Sequence, residues 1–261
     1  MTIAEQTNLR LLPVIRRARG YHLYDASGRR ILDLFQDGGR AWLGHRPDGV
    51  SLQFKNTLSR GVYAPFPSPE EVKMIKAVKI LCKTLGADSD NTAYYRCGSA
   101  EAEKLGKPVD VLENEGASFV LWRPGLPWPL KASTVELLIP LPGLDAGRII
   151  VSSEKELPPG DLPSPLIAAA LNRCIWSLNN HLEGQSAGSP ALFSMTEGWK
   201  QTGSYCFWQG SAEDYDIMFQ SALKEGLLLA PSREIPCIIP QELSSGDLGL
   251  LKKIFSGGTA Q

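Results

Sequence analysis

The stretch "GYHLYDASGRRILDLFQDGGRAWLGHRP", residues 20–47, decides the fold. Alternating apolar residues flank Asp25-Ala26-Ser27-Gly28, a turn composition, so Gly20 to Phe35 reads as a β-hairpin. Gly38, Gly39, Gly44 and Pro47 then break any regular element, and a loop follows. Downstream, "PFPSPEEVKMIKAVKILCKTLG" is a helix. Ser68 is its N-cap, Pro69 its first helical residue, and Glu71 completes a capping box. Val72, Ile75, Val78, Cys82 and Leu85 recur at helical spacing and predict its buried face, and Gly86 can end it.

The strand "TAYYR" leads into "CGSAEAEKLGK", a small-residue turn and a helix start. The backbone N–H groups of such a turn can hold an anion, with Ser99 adding a hydroxyl. On local sequence alone, an ordinary strand-to-helix turn capped by Ser99 is the favoured reading. "ASFVLW", "VELLI" and "RIIV" are strands among proline-rich loops. "SPLIAAALNRCIWSLNNHLEG" is a helix with Leu166, Ala170, Cys174, Leu178 and Leu182 on one face. "EGQSAGSP" is the best linker. The last third reads as a strand (GSYCFWQG), a helix opened by Ser211 and Asp214 and closed by Gly226, two short strands, and a final helix in "SSGDLGLLKKIF".

The 261 residues are 43% hydrophobic and 21% charged, with a net charge of −1. These are values of a globular chain with a sizeable core, and no global field favours nucleic acid or an anionic membrane. No apolar run approaches the roughly 20 residues of a membrane span. Five scattered cysteines, with no CxxC pair, point to reduced thiols and a cytoplasmic setting.

Few motifs carry chemistry. Ser186 lies in a GxSxG match, "GQSAG", but a helix precedes it where a nucleophile elbow needs a strand. His22, His45 and His181 lack metal-ligand spacing and read as hydrogen-bonding or surface residues. Glu113 and Glu115 in "ENEG" read as a solvated turn.

Four segments in order nevertheless resemble class III aminotransferases, the pyridoxal-phosphate enzymes of fold type I that include glutamate-1-semialdehyde aminomutase. Gly20, Asp25, Gly28, Asp33, Gly44 and His45 match the family's N-terminal hairpin and its G-H loop. "SRGVYAPFPSPEEV" is similar to the lead into its first large-domain helix. Gly98-Ser99 falls at its cofactor-phosphate turn, and Ser211 to Phe255 is similar to its C-terminal small domain. Together the resemblance covers Gly20 to Lys107 and Ser211 to Phe255.

The departures are as informative. The family needs a lysine for the Schiff base and an aspartate against the pyridine nitrogen. About 60 residues separate Lys107 from Pro165, too few for the missing elements at roughly 10 residues each. The family's D-E-[VI] strand is absent, Lys131 sits in a proline-rich setting unlike the family's lysine turn, and Ala100 stands where the turn carries Glu.

The resemblance therefore implies an α/β chain with a reduced fold-type-I large domain and a small α/β domain built from both chain ends. Residues 1–60 are expected to join the small domain, 61–184 to form the reduced large domain, and 185–261 to complete the small one. The expected function is binding or assembly without transamination. The alternative is a pyridoxal-phosphate aminotransferase or aminomutase with a shortened site, using Lys131 or Lys200. No cofactor is expected, with pyridoxal phosphate at a vestigial turn of Gly98 and Ser99 as the alternative; another phosphorylated small molecule is a further option. A homodimer is implied, with Ile175 and Trp176 either at its interface or in the core. A full-length aminotransferase is the other partner considered; nucleic acid and membrane are not expected.

Overall fold

The two ends of the chain fold together. The computed structural model describes residues 3–87, 93–97, 104–143, 147–153, 160–184 and 198–256. It divides into one unit of residues 1–46 with 186–261 and a second of residues 47–185. Residues 47–60, which the sequence grouped with the N-terminal segment, cluster with the second unit.

In the first unit, helix α1 (Ile3–Leu9) precedes strands β1 (Ile15–Arg19), β2 (His22–Asp25) and β3 (Arg30–Asp33). From the C-terminal third come β9 (Trp199–Thr202), β10 (Tyr205–Trp208), α5 (Ala212–Glu225), β11 (Leu227–Leu228), β12 (Cys237–Ile238) and α6 (Ser245–Ser256). The β2–β3 hairpin forms as the sequence predicts. Asp25 Oδ1 accepts hydrogen bonds from the amides of Ser27 and Arg29, each at 2.9 Å. Gly28 takes the left-handed conformation, φ +87°, that the turn requires.

β3 then pairs in parallel with β11, Leu227 opposite Leu32, and the sheet order is β1-β2-β3-β11. One residue further on, the amide of Ile238 donates to the Leu34 carbonyl at 2.6 Å. β3 thus lies inside the unit, and Ile31, Leu32, Asp33 and Leu34 are all buried. A hairpin with one solvated face would bury only alternate residues. Helix α5 has the cap the sequence predicts, Ser211 Oγ accepting from the Asp214 amide at 3.0 Å. It buries Tyr215, Phe219, Ala222 and Leu223, an i, i+4, i+7, i+8 stripe, in the core shared with Ile31, Leu32, Leu34, Leu227 and Leu251.

The second unit holds α2 (Val50–Leu58), α3 (Pro69–Thr84), β4 (Ala93–Cys97), β5 (Val109–Asp110), β6 (Phe119–Trp122), β7 (Thr134–Leu137), β8 (Arg148–Ser152) and α4 (Pro165–Gly184). The sheet order is β4-β8-β7-β6-β5. β5, β6 and β7 are mutually parallel, and β8 runs antiparallel to both β4 and β7. β4 therefore points the same way as β5 to β7, and four strands end on one edge.

Helix α4 packs against α2 and α3. Ala170, Cys174 and Leu178 are buried as its spacing predicts, with Ile175 beside them in the core; Trp176 is exposed at its surface. On α3, Ser68 Oγ accepts from the Glu71 amide at 3.3 Å. Its buried stripe differs from the predicted one: Met74, Ala77, Val78, Leu81 and Cys82 are buried, while Val72 is 53% exposed. Val72 and Met74 are two positions apart, which at about 100° per residue puts them on opposed faces. The choice between those faces lay in the packing of α3 on α4, because the local pattern puts apolar residues on both.

Candidate functional site

Of the six residues that carry the resemblance, Asp25 and Gly28 form the hairpin turn between β2 and β3, while Gly20, Asp33, Gly44 and His45 converge on one structure in the first unit. Asp33 is its centre. Its Oδ1 accepts from the amides of Phe35 and Gln36, at 2.8 and 3.0 Å. Its Oδ2 lies 2.7 Å from His45 Nε2. His45 is tied again through its amide to the Gly20 carbonyl, at 2.8 Å. Gly44, at φ +84°, passes so close to Gly20 that an added Cβ would sit 3.1 Å from the Gly20 oxygen.

Between Asp33 and His45 the chain makes a 3₁₀ turn, Gln36–Gly39. Gln36, Asp37, Gly38 and Gly39 all have positive φ, at 48°, 50°, 67° and 106°. Left-handed backbone costs a non-glycine residue roughly 1–2 kcal/mol. The surroundings hold it: Gln36 is buried, its Nε2 donates to the Ile238 carbonyl at 2.9 Å, and its own carbonyl accepts from Ala41 at 2.8 Å. Gln36 Oε1 is buried without a hydrogen-bond partner among the described residues. This assembly fixes the loop that enters the second unit. Its carboxylate and histidine are committed to each other.

A second cluster closes the first unit. Asp247 accepts from Ser244 Oγ at 2.7 Å and Arg30 Nη2 at 3.1 Å, and its Oδ1 lies 3.0 Å from His22 Nε2. Burial opposes its ionisation, but the hydrogen bonds from Ser244 and His22 outweigh that and hold its carboxyl below the usual range. A depressed folded pKa stabilises the fold above the ordinary carboxylate pKa, and that share is lost as pH falls through the folded value. Asp247→Asn should therefore be less stable than the parent at pH 6, and the gap should narrow toward pH 3. Urea midpoints measured across that range check it; a gap that widens on acidification contradicts it.

In the second unit, the carboxyl edge of the parallel strands is where open α/β sheets bind ligands. Asp110 ends β5 there and Arg123 follows β6. Arg123 is buried, with Nη2 2.6 Å and Nε 2.8 Å from Asp110 Oδ2. Arg148, which opens β8 at the same edge, places Nε 2.6 Å from Glu136 Oε2 and donates to the Gly106 carbonyl at 2.9 Å. Both guanidinium groups are thus neutralised by neighbouring carboxylates. Gly98 and Ser99, the predicted phosphate turn, lie outside the described residues, as does Ser186.

Pyridoxal phosphate would need a lysine facing its aldehyde carbon and a carboxylate against its ring nitrogen. Every lysine among the described residues is exposed, Lys131 and Lys200 included. The buried aspartates Asp25, Asp33 and Asp247 are each engaged in a turn, a cap or an ion pair. The described residues do not fit this group. Among them no cluster of three or more His, Cys, Asp or Glu side chains could hold a metal ion. Cys82 and Cys174 are buried free thiols whose ionisation burial pushes up to about 12, and Cys237 is pushed to about 11. Such thiols are poor nucleophiles. No helix among the described residues is long and apolar enough to cross a membrane.

The fold is that of the class III aminotransferases, fold type I. Ornithine δ-aminotransferase of Plasmodium falciparum superposes with a TM-score of 0.64, covering 94% of this chain and 92% of that one, at 13% identity. In sequence, an uncharacterised protein of Borreliella burgdorferi is 29% identical over 268 residues, 93% of this chain and 90% of its own length. Glutamate-1-semialdehyde 2,1-aminomutase of Thermus thermophilus is 39% identical over 67 residues, 26% of this chain and 16% of the enzyme. No family model matches the chain.

Proposed function

We propose that this chain has an aminotransferase fold with a reduced catalytic domain, performs no transamination, and serves binding or assembly. The observation that carries this reading is the exposure of every lysine among the described residues. A Schiff-base lysine must be held, poorly hydrated, against the cofactor's aldehyde. The pairing of Arg123 with Asp110 and of Arg148 with Glu136 supports the same reading, because it removes the positive charge a phosphate would seek. The setting is the cytoplasm, in keeping with free buried thiols. The functional unit is a homodimer. Leu58, Val62, Tyr63 and Phe66 are all at least 42% exposed within nine residues of chain, more apolar surface than a short solvated loop normally carries.

Incubation with pyridoxal phosphate, borohydride reduction and intact-mass measurement tests the proposal. The expected result is no adduct on any lysine, with light scattering giving twice the monomer mass. Stoichiometric labelling of a single lysine, Lys155 included, would instead mark the chain as a pyridoxal-phosphate enzyme with a shortened site.

A further inference from the structure

We infer that the outer edge of β1 takes up an extended, acidic segment of a partner protein as an added strand; this rests on the binding reading above and gives the partner a chemistry. β1 is the outermost strand of its sheet, so one row of its backbone N–H and C=O groups has no strand beside it among the described residues. Its register with β2 skips Arg16: Ile15 lies opposite Asp25, and Arg17 opposite Tyr24. Arg16 is the extra residue of a β-bulge, which shifts the alternation of side chains by one. Ile15 and Ala18 pack on the core, and Arg16, Arg17 and Arg19 are all exposed on the other side. Strict alternation would have sent Arg16 to the side of Ala18.

Charge complementarity chooses the occupant. None of the three arginines pairs with a carboxylate of the described residues. Arg17 lies over the Tyr24 ring, 4.3 Å from its centroid, which orients its guanidinium. The nearby carboxylates are committed elsewhere: Asp25 to the amides of Ser27 and Arg29, and Asp247 to Ser244, Arg30 and His22. From Gln6 to Tyr24 the chain has no acidic residue, and its net charge is −1, so the positive field is local to this edge. A guanidinium offers paired donors that match a carboxylate. Arg17 and Arg19 are two positions apart, about 7 Å along the strand. Alternate side chains of a paired strand repeat at that same distance. A segment with a carboxylate at every second residue therefore meets both arginines in register, while its backbone satisfies the free edge. A second copy of β1 is repelled by like charge. Single-stranded nucleic acid is the weaker match. Its phosphates leave the edge carbonyls without donors, and Tyr24, capped by Arg17, gives a base little face to stack on.

The test uses the full chain and a labelled peptide alternating glutamate with threonine. Fluorescence anisotropy should show salt-sensitive binding. Arg17→Glu with Arg19→Glu should weaken it at least about tenfold. A peptide alternating lysine with threonine should bind that variant better than the parent. Methylating the amide nitrogens of every second residue strips the donors from one edge of the acidic peptide and keeps its charge. Of the two peptides so made, one on the glutamates and one on the threonines, one should lose affinity at least about tenfold. Equal affinity of parent and reversed variant for the acidic peptide overturns the proposal. So does a reversed variant that loses the acidic peptide without gaining the basic one, or full affinity in both methylated peptides. Binding confined to oligothymidylate, or to vesicles containing phosphatidylserine, overturns it as well. Cofactor labelling of a lysine would sink the non-catalytic reading and leave these affinities as they are, so the two failures can be told apart.

Discussion

Asp33→Ala is expected to lower stability by about 3 kcal/mol or more, the scale for removing one member of a buried, hydrogen-bonded pair. Three groups lose their acceptor at once: the amides of Phe35 and Gln36, and the His45 ring. The left-handed backbone at Gln36 and Asp37 then loses the cap that holds it. Asp33→Asn keeps a carbonyl oxygen for the two amides and should lose less. Urea unfolding followed by tryptophan fluorescence separates the two variants. A midpoint for the alanine variant within experimental error of the parent would show that the Asp33–His45 pair is not what holds the loop.

The second large effect is expected in the other unit. Trp122 lies on β6, between β5 and β7, and is fully buried. Its Nε1 donates to the Leu126 carbonyl at 2.9 Å, closing the turn after the strand. Trp122→Ala removes a large buried ring and should cost about 3–5 kcal/mol. It also leaves that carbonyl without its donor and loosens the turn beside Arg123. Trp176→Ala on the exposed side of α4 is the contrast and should stay within about 0.5 kcal/mol. Comparable losses in the two variants would mean that Trp176 is covered, as it could be in the proposed homodimer.

The elements legible in the sequence are those whose signals are local. Ser68-Pro69, Ser211 with Asp214, and Gly226 mark helix ends through caps formed within a few residues, and the structure places α3 and α5 between them. "ASFVLW", "VELLI" and "RIIV" read as strands by composition, and the structure has strands at Phe119–Trp122, Thr134–Leu137 and Arg148–Ser152. What escaped carries no strand signal of its own and is fixed by the strand beside it. β5 is two residues long and exists because β6 lies beside it. β1 is an arginine-rich edge strand with no apolar alternation, and β9 shows its strand character only across the hairpin from β10. Val72 was placed on the wrong side of α3 because both sides carry apolar residues.

The same holds for the sites. Asp33 and His45 are visible as motif positions, but their pairing across 12 positions of chain, around the left-handed turn Gln36–Gly39, is not. The predicted phosphate turn at Gly98-Ser99 lies outside the described residues. The six matched positions answer to turns, close backbone approach and one buried ion pair. They record how this fold is built and carry no information on whether it still transaminates.

The parallel pairing of β3 with β11 has a consequence for biosynthesis. The second unit is continuous in the chain and can complete its sheet while the C-terminal third is still on the ribosome. The hairpin made first must then wait, its buried faces uncovered, for the strands made last. Such long-range closure is slow, and an exposed strand edge invites wrong partners in the interval. The arginines of β1 lie on the outermost strand of that sheet. Their mutual repulsion would guard the outer edge of the hairpin, opposite the edge that β11 later covers.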